Sequence, residues 1–121
     1  MDEPDRIDPV EAAEALRVRR ADAVARLAGT GAERAAVVSA ARESVTDDEH
    51  DPEGATIAYE RRMLDVLSAG AEQRIAEVDA ALERLAGGVY QVCAVCGGPI
   101  AADRLQALPT ARTCVACGRR G

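Results

Sequence analysis

Four cysteines in two CxxC pairs constrain this chain more than any other feature. The stretch reads Tyr90-Gln91-Val92-Cys93-Ala94-Val95-Cys96-Gly97, and the second pair follows as Cys114-Val115-Ala116-Cys117-Gly118, with 17 residues between Cys96 and Cys114. A CxxC turn brings two sulfurs together, and two such turns at this spacing supply the donors of a four-thiolate zinc site. The glycine after each second cysteine permits the positive φ with which backbone wraps a metal. Arg112, Arg119 and Arg120 flank the second pair and would offset the negative charge of a zinc tetrathiolate. No fifth cysteine and no nearby histidine offers an open coordination position. The expected site is therefore closed and structural, with Cys93, Cys96, Cys114 and Cys117 holding one zinc ion. Paired cysteines have two other uses. A disulfide framework goes with secretion, whereas this sequence starts without an apolar signal segment. A thioredoxin-like redox pair needs a βαβ context, which precedes neither pair.

The rest of the composition favours thin helical packing. The chain has 121 residues, no Phe, no Trp and two Tyr, and much of its 48% hydrophobic content is alanine. Small residues at this density suit helix–helix seams rather than a thick core. A net charge of −6 and a pI near 4.8 argue against nonspecific nucleic-acid binding, so no direct sequence-specific contact with DNA is expected. Every basic side chain except His50 is Arg, with Lys and Asn both absent, a bias of the kind a GC-rich genome produces. Without a long apolar run, no membrane association is expected, and the sequence reads as that of a cytoplasmic protein.

Two long helices are predicted. Residues 1–8 are acidic and proline-containing and are expected to be flexible. Asp8 as N-cap, Pro9 in the first turn and Glu11 closing a capping box then start a helix. Ala13, Leu16, Ala23, Val24 and Leu27 mark one face, and Val37, Val38, Ala41 and Val45 resume it beyond Gly29-Thr30-Gly31. Two glycines so close cost about 2 kcal/mol of helix propensity, which predicts a kink or break at that point. The polar, acidic segment around 46–54 reads as a turn, and Asp51-Pro52 repeats the start signal. Ile57, Leu64, Leu67, Ala71, Ile75, Val78, Leu82 and Leu85 form the seam of the second helix, which Gly87-Gly88 ends. Helices over about 9–45 and 52–86 would be roughly 55 and 52 Å long. Matched lengths joined by a short turn give a mainly α fold: an antiparallel coiled-coil hairpin over residues 9–88, with a small C4 zinc finger over 89–121.

These residues resemble a known family. Cys93-x-x-Cys96-Gly97, Pro99-Ile100, Arg104-Leu105, Ala107, Pro109, Ala111 and Cys114-x-x-Cys117 look like the C4 zinc finger of the DksA/TraR family. The acidic turn from Asp47 to Thr56 resembles the hairpin tip of its actinobacterial members. The resemblance implies a transcription regulator that binds RNA polymerase directly, inserts its coiled coil into the secondary channel and brings an acidic tip towards the active-site region. It carries Asp47, Asp48, Glu49, Asp51, Glu53 and Thr56 over as the partner-binding tip, with no catalytic residues.

The sequence also departs from the family pattern. Well-studied members carry two tip aspartates three apart, then an alanine two residues later; here Asp51 fits the first position, Gly54 stands at the second and Thr56 at the alanine. Positions basic in members that respond to guanosine tetraphosphate are Leu108 and Gly118, leaving Arg104 alone, so an alarmone site is not carried over. Gln91 replaces the glycine common after the tyrosine.

Each sharp assignment has a plainer counterpart. Asp51 before Pro52 is an N-cap by default, worth about 1 kcal/mol, and an acidic turn is most often only solvated. His50, among carboxylates, would have a raised pKa and is a minor candidate for metal binding or pH sensing. Arg61 and Arg62 are expected in solvent or paired across the hairpin, and Tyr90 between helix end and finger. The other functional class is a zinc-stabilised coiled-coil interaction protein with a different partner, the tip mechanism having been lost at Gly54. An enzyme is disfavoured, since the sequence has no nucleophile–base set and no phosphate loop, and a saturated metal leaves no open position.

Overall fold

The computed structural model describes residues 5–43 and 52–120. They form four helices: α1 (Pro9–Glu43), α2 (Pro52–Ala86), α3 (Ala102–Ala107) and α4 (Val115–Arg120). The two long helices form a hairpin, and the short ones lie in the C-terminal finger. Among the described residues the sole β pairing is an isolated antiparallel bridge between Val92 and Pro99.

Local chemistry fixes where the helices start and stop. Asp8 Oδ1 accepts the Val10 N–H at 2.9 Å, satisfying a donor that the first turn leaves without an intrahelical acceptor, while Pro9 has no N–H to satisfy. At the other end of the hairpin's second helix, Val89 N–H donates to Arg84 O at 2.9 Å and Gly88 N–H to Leu85 O at 3.2 Å. This crossed pair is a Schellman cap. It requires a left-handed residue, and Gly88 takes φ 78°.

Gly29-Thr30-Gly31 does not break α1, which runs through it without interruption. Once a helix is nucleated, adding a residue is inexpensive, and tertiary packing outweighs the local propensity of two glycines. Thr30 contributes by donating its hydroxyl to Arg26 O at 2.8 Å. Helix α2 begins at Pro52 and ends at Ala86, as its sequence signals predict.

The chain divides into two units: residues 1–21 with 75–121, and residues 22–74. In the first, Leu16, Val78 and Ala81 pack with Tyr90, Cys93, Ile100, Leu105 and Ala111 in one cluster. Leu16 and Ile100 are fully buried, and each such side chain contributes roughly 2 kcal/mol of apolar burial. Among the described residues of the second, Ala23, Leu64 and Ala71 are buried, which makes the thin seam expected from an alanine-rich sequence.

Each unit also carries an ion pair between the long helices. Arg20 Nε reaches Asp79 Oδ1 and Arg34 Nε reaches Asp65 Oδ1, both at 2.7 Å. Moving 14 residues forward on α1 moves 14 back on α2, so both pairs follow one antiparallel register. Their half-exposed geometry gives them little net stability, but a slipped register would separate every partner. Leu67 is misplaced by the sequence reading. It is 55% exposed, whereas the strict three-and-four alternation from Leu64 to Ala71 runs through half-buried Ser68. Helical period overrides side-chain hydrophobicity here.

Candidate metal centre

Two backbone knuckles build the finger. In the first, Val92 pairs with Pro99, Cys93 N–H donates to Gly98 O at 2.7 Å and Gly97 N–H to Cys93 O at 3.0 Å. The chain turns back at Gly97 with φ 74°, as the glycine after Cys96 predicts. The second knuckle is built differently. Cys114 precedes α4 and Cys117 sits inside it, with Gly118 N–H donating to Cys114 O at 2.8 Å. Gly118 lies in that helix, and among the described residues only Gly88 and Gly97 have positive φ. The expectation of a positive φ at Gly118 is therefore wrong. Its lack of a side chain serves close approach instead: a Cβ there would lie 2.8 Å from Arg104 Nη2. Arg104, from α3, donates through Nε to Thr113 O at 2.7 Å just before Cys114.

The four cysteine sulfurs all lie within 4.8 Å of one another, and Cys96 Sγ and Cys114 Sγ are 3.8 Å apart. Four sulfurs at about 2.3 Å from a tetrahedral zinc are roughly 3.8 Å apart, so the cluster has the dimensions of a closed site. All four are free cysteines rather than disulfide-bonded in this structure. Backbone amides point at the sulfurs: Val95 and Cys114 N–H donate to Cys93 Sγ at 3.4 and 3.3 Å, and Gly98 N–H donates to Cys96 Sγ at 3.4 Å. Amide donors stabilise thiolates, the form that binds metal.

The titration of the cluster follows from that arrangement. Amides of Cys96 and Cys114 pull the Cys93 thiol down to about 6, and the amide of Cys117 lowers Cys114. Cys117 is pushed up to about 12, first by its contact with Cys114 and then by burial. The arrangement thus favours ionisation of Cys93 and Cys114, while the hydrogen bond of Cys117 to Cys114, burial and, last, the like charge of Cys114 oppose ionisation of Cys117. A divalent cation relieves that opposition, and zinc deprotonates coordinating thiols outright. The donor set fits zinc, which would act as a four-way crosslink between the knuckles.

Interactions around the finger join it to the helix ends. Tyr90 is 4% exposed and donates its hydroxyl to Pro109 O at 2.6 Å, with its pKa raised by burial; its predicted place between helix and finger is correct. Arg84, in the last turn of α2, donates to Thr110 O and Ala111 O at 3.5 and 3.4 Å. Burial lowers its pKa.

Gln91 has a role that the sequence did not reveal. Its Oε1 accepts the Ile7 N–H at 2.8 Å, and its Nε2 donates to Asp5 O and Ile100 O at 2.7 and 3.2 Å. Asp5 Oδ1 in turn accepts the Ala102 N–H at 3.3 Å, at the start of α3. Residues 5–7 are therefore fastened to the finger, contrary to the expected flexible N-terminus. No local pattern could have announced a contact 84 residues apart.

Asp47, Asp48, Glu49 and Asp51, with His50, lie outside the described residues. Glu53 falls in the first turn of α2, where only its backbone is described, and Thr56 is exposed one turn further along.

Residues 88–120 match the prokaryotic dksA/traR C4-type zinc finger family. The fold is similar to that of transcription factor DksA2 from Pseudomonas aeruginosa, with a TM-score of 0.78 and 28% identity over 93% of this chain and 81% of that one. Two curated relatives are similar in sequence. An uncharacterised protein from Aquifex aeolicus is 38% identical over 61 residues, which is 50% of this chain and 42% of the relative. YteA, an uncharacterised protein of Bacillus subtilis, is 35% identical over 66 residues, 54% of this chain and 28% of the relative. The chain thus spans less than half the length of these two relatives. Among the described residues, no helix is long and apolar enough to cross a membrane.

Proposed function

Because the chain is a DksA/TraR-family C4 zinc finger protein, we propose that it regulates transcription by binding RNA polymerase directly. The hairpin enters the secondary channel and the acidic turn alters initiation near the active site. The single observation that carries this reading is the likeness to transcription factor DksA2 across 93% of the chain. A net charge of −6 suits a protein that addresses an enzyme rather than bare DNA. It acts in the cytoplasm.

One zinc ion, held by Cys93, Cys96, Cys114 and Cys117, keeps the finger closed. With four protein ligands it has no open position, so its contribution is structural and the protein is a binding factor rather than an enzyme. Asp47, Asp48, Glu49, Asp51, Glu53 and Thr56 form the polymerase-facing tip in this reading, with Asp51 as a contact residue. Guanosine tetraphosphate is not a ligand in this reading. Leu108 and Gly118 supply no charge, and Arg104 is already engaged with Thr113.

Asp51→Asn tests the tip. Asn caps a helix about as well as Asp, so helicity should be retained while the effect on promoter transcription with cognate polymerase weakens several-fold. An unchanged effect would remove the tip mechanism.

A further inference from the structure

Helix α2 carries a second apolar stripe on a face other than its hairpin seam. Tyr59, Met63, Val66 and Leu67 are 61%, 44%, 64% and 55% exposed. Tyr59, Met63, Val66 and Gly70 are spaced four, three and four residues apart, the alternation of a coiled-coil seam. The hairpin seam at Leu64, Ser68 and Ala71 is offset from this set by one or two residues, which puts the two stripes roughly 140° apart around the helix. All these positions lie within the unit of residues 22–74.

Gly70 is the informative member. Glycine inside a helix is unfavourable by roughly 0.5–1 kcal/mol relative to alanine, and a Cβ here would meet nothing within 4 Å. No neighbour within the chain requires the missing side chain, so the notch is open to a knob from outside.

We infer that this face pairs antiparallel with the same face of a second copy of the chain, placing Tyr59 of each copy in the Gly70 notch of the other and Met63 against Val66. The occupant follows from the order of sizes along the stripe. In an antiparallel pair the facing layers are Tyr59 with Gly70, Met63 with Val66, and the two reversed. The largest side chain thus meets the smallest, and two of middle size meet in the centre. A parallel pair would stack Tyr59 on Tyr59 and leave the two glycines facing an empty layer. The isologous arrangement closes on itself, as a two-fold dimer must. At the rim, Arg62 flanks Ala69 and Leu67 flanks Glu60, so these layers oppose no like charges.

Size sets the strength. The four exposed side chains present roughly 400 Å² of apolar surface, large for a patch on a monomer and about half of the ~800 Å² per partner buried in a stable complex. The dimer is therefore weak and reversible, and its formation does not depend on the polymerase reading.

Sedimentation velocity on the zinc-loaded full chain, from about 1 to 500 µM, provides the test. The expected result is monomer at the low end and a substantial dimer fraction at the high end. Val66→Arg should weaken dimerisation at least tenfold. Gly70→Gln should do the same while raising the melting temperature, because it fills the notch and improves helix propensity, which separates loss of pairing from loss of folding. A chain that stays monomeric at 500 µM overturns the inference, as does a Gly70→Gln variant that dimerises like the parent. A monomeric parent whose binding to core polymerase is lost on Val66→Arg also overturns it, and assigns the face to that partner.

Discussion

Single residues tie the finger to the chain on either side of it, and two of them make testable predictions. Gln91 makes three hydrogen bonds, to Ile7, Asp5 and Ile100, two positions before the first zinc ligand. A net value of about 1 kcal/mol per bond makes it a clasp on the first knuckle. Gln91→Gly should speed loss of zinc to a chelator several-fold and deprotect the Ile7 amide to hydrogen exchange, with helicity retained; unchanged exchange at Ile7 would contradict the clasp. Tyr90 is held neutral by burial, its pKa raised above 10. The folded state binds this proton more tightly than the unfolded chain does. The resulting stability is therefore complete below pH 10 and is lost as pH rises through the folded pKa. Tyr90→Phe should cost about 1 kcal/mol at neutral pH, since Pro109 O loses its donor, and should flatten the fall in stability above pH 10. An equally steep alkaline fall in the variant would place its cause elsewhere.

Among the elements, legibility depended on whether the deciding physics was local. The cysteine spacing, the Asp8 cap and the glycine stop at Gly88 are short-range chemistry, and the structure realises each one. Gly29-Thr30-Gly31 misled because propensity is local, whereas helix continuity in α1 is set by a seam extending to both sides. Ser68 was overlooked because a strict period places it in the seam and its polarity argues against it. The Arg20–Asp79 and Arg34–Asp65 pairs, Arg84 and the Gln91 clasp join distant segments, and nothing adjacent to any of them announces the partner. The continuous α1 predicts that Gly29→Ala with Gly31→Ala stabilises the protein by roughly 0.5–1 kcal/mol per site, since a Cβ at either position meets nothing within 4 Å. Thermal unfolding checks this, and a lowered midpoint would mean that the glycines meet a need other than helix continuity.

For the whole molecule, a four-sulfur cluster and a helical hairpin belong to one family fold, and the functional claim rests on that family. The sequence alone located the four-cysteine cluster residue by residue. The proposed action on polymerase rests on resemblance alone, since an acidic turn is by itself no more than a solvated loop. The most direct measurement of the central claim is titration of the zinc-loaded chain against cognate core RNA polymerase at physiological salt, with an unrelated promoter duplex as the comparison. The account predicts saturable binding to polymerase, weakened by Asp51→Asn, and binding to the duplex no tighter than the roughly 10⁻⁴–10⁻⁶ M of nonspecific contacts. Tight binding to the duplex with none to polymerase would contradict it.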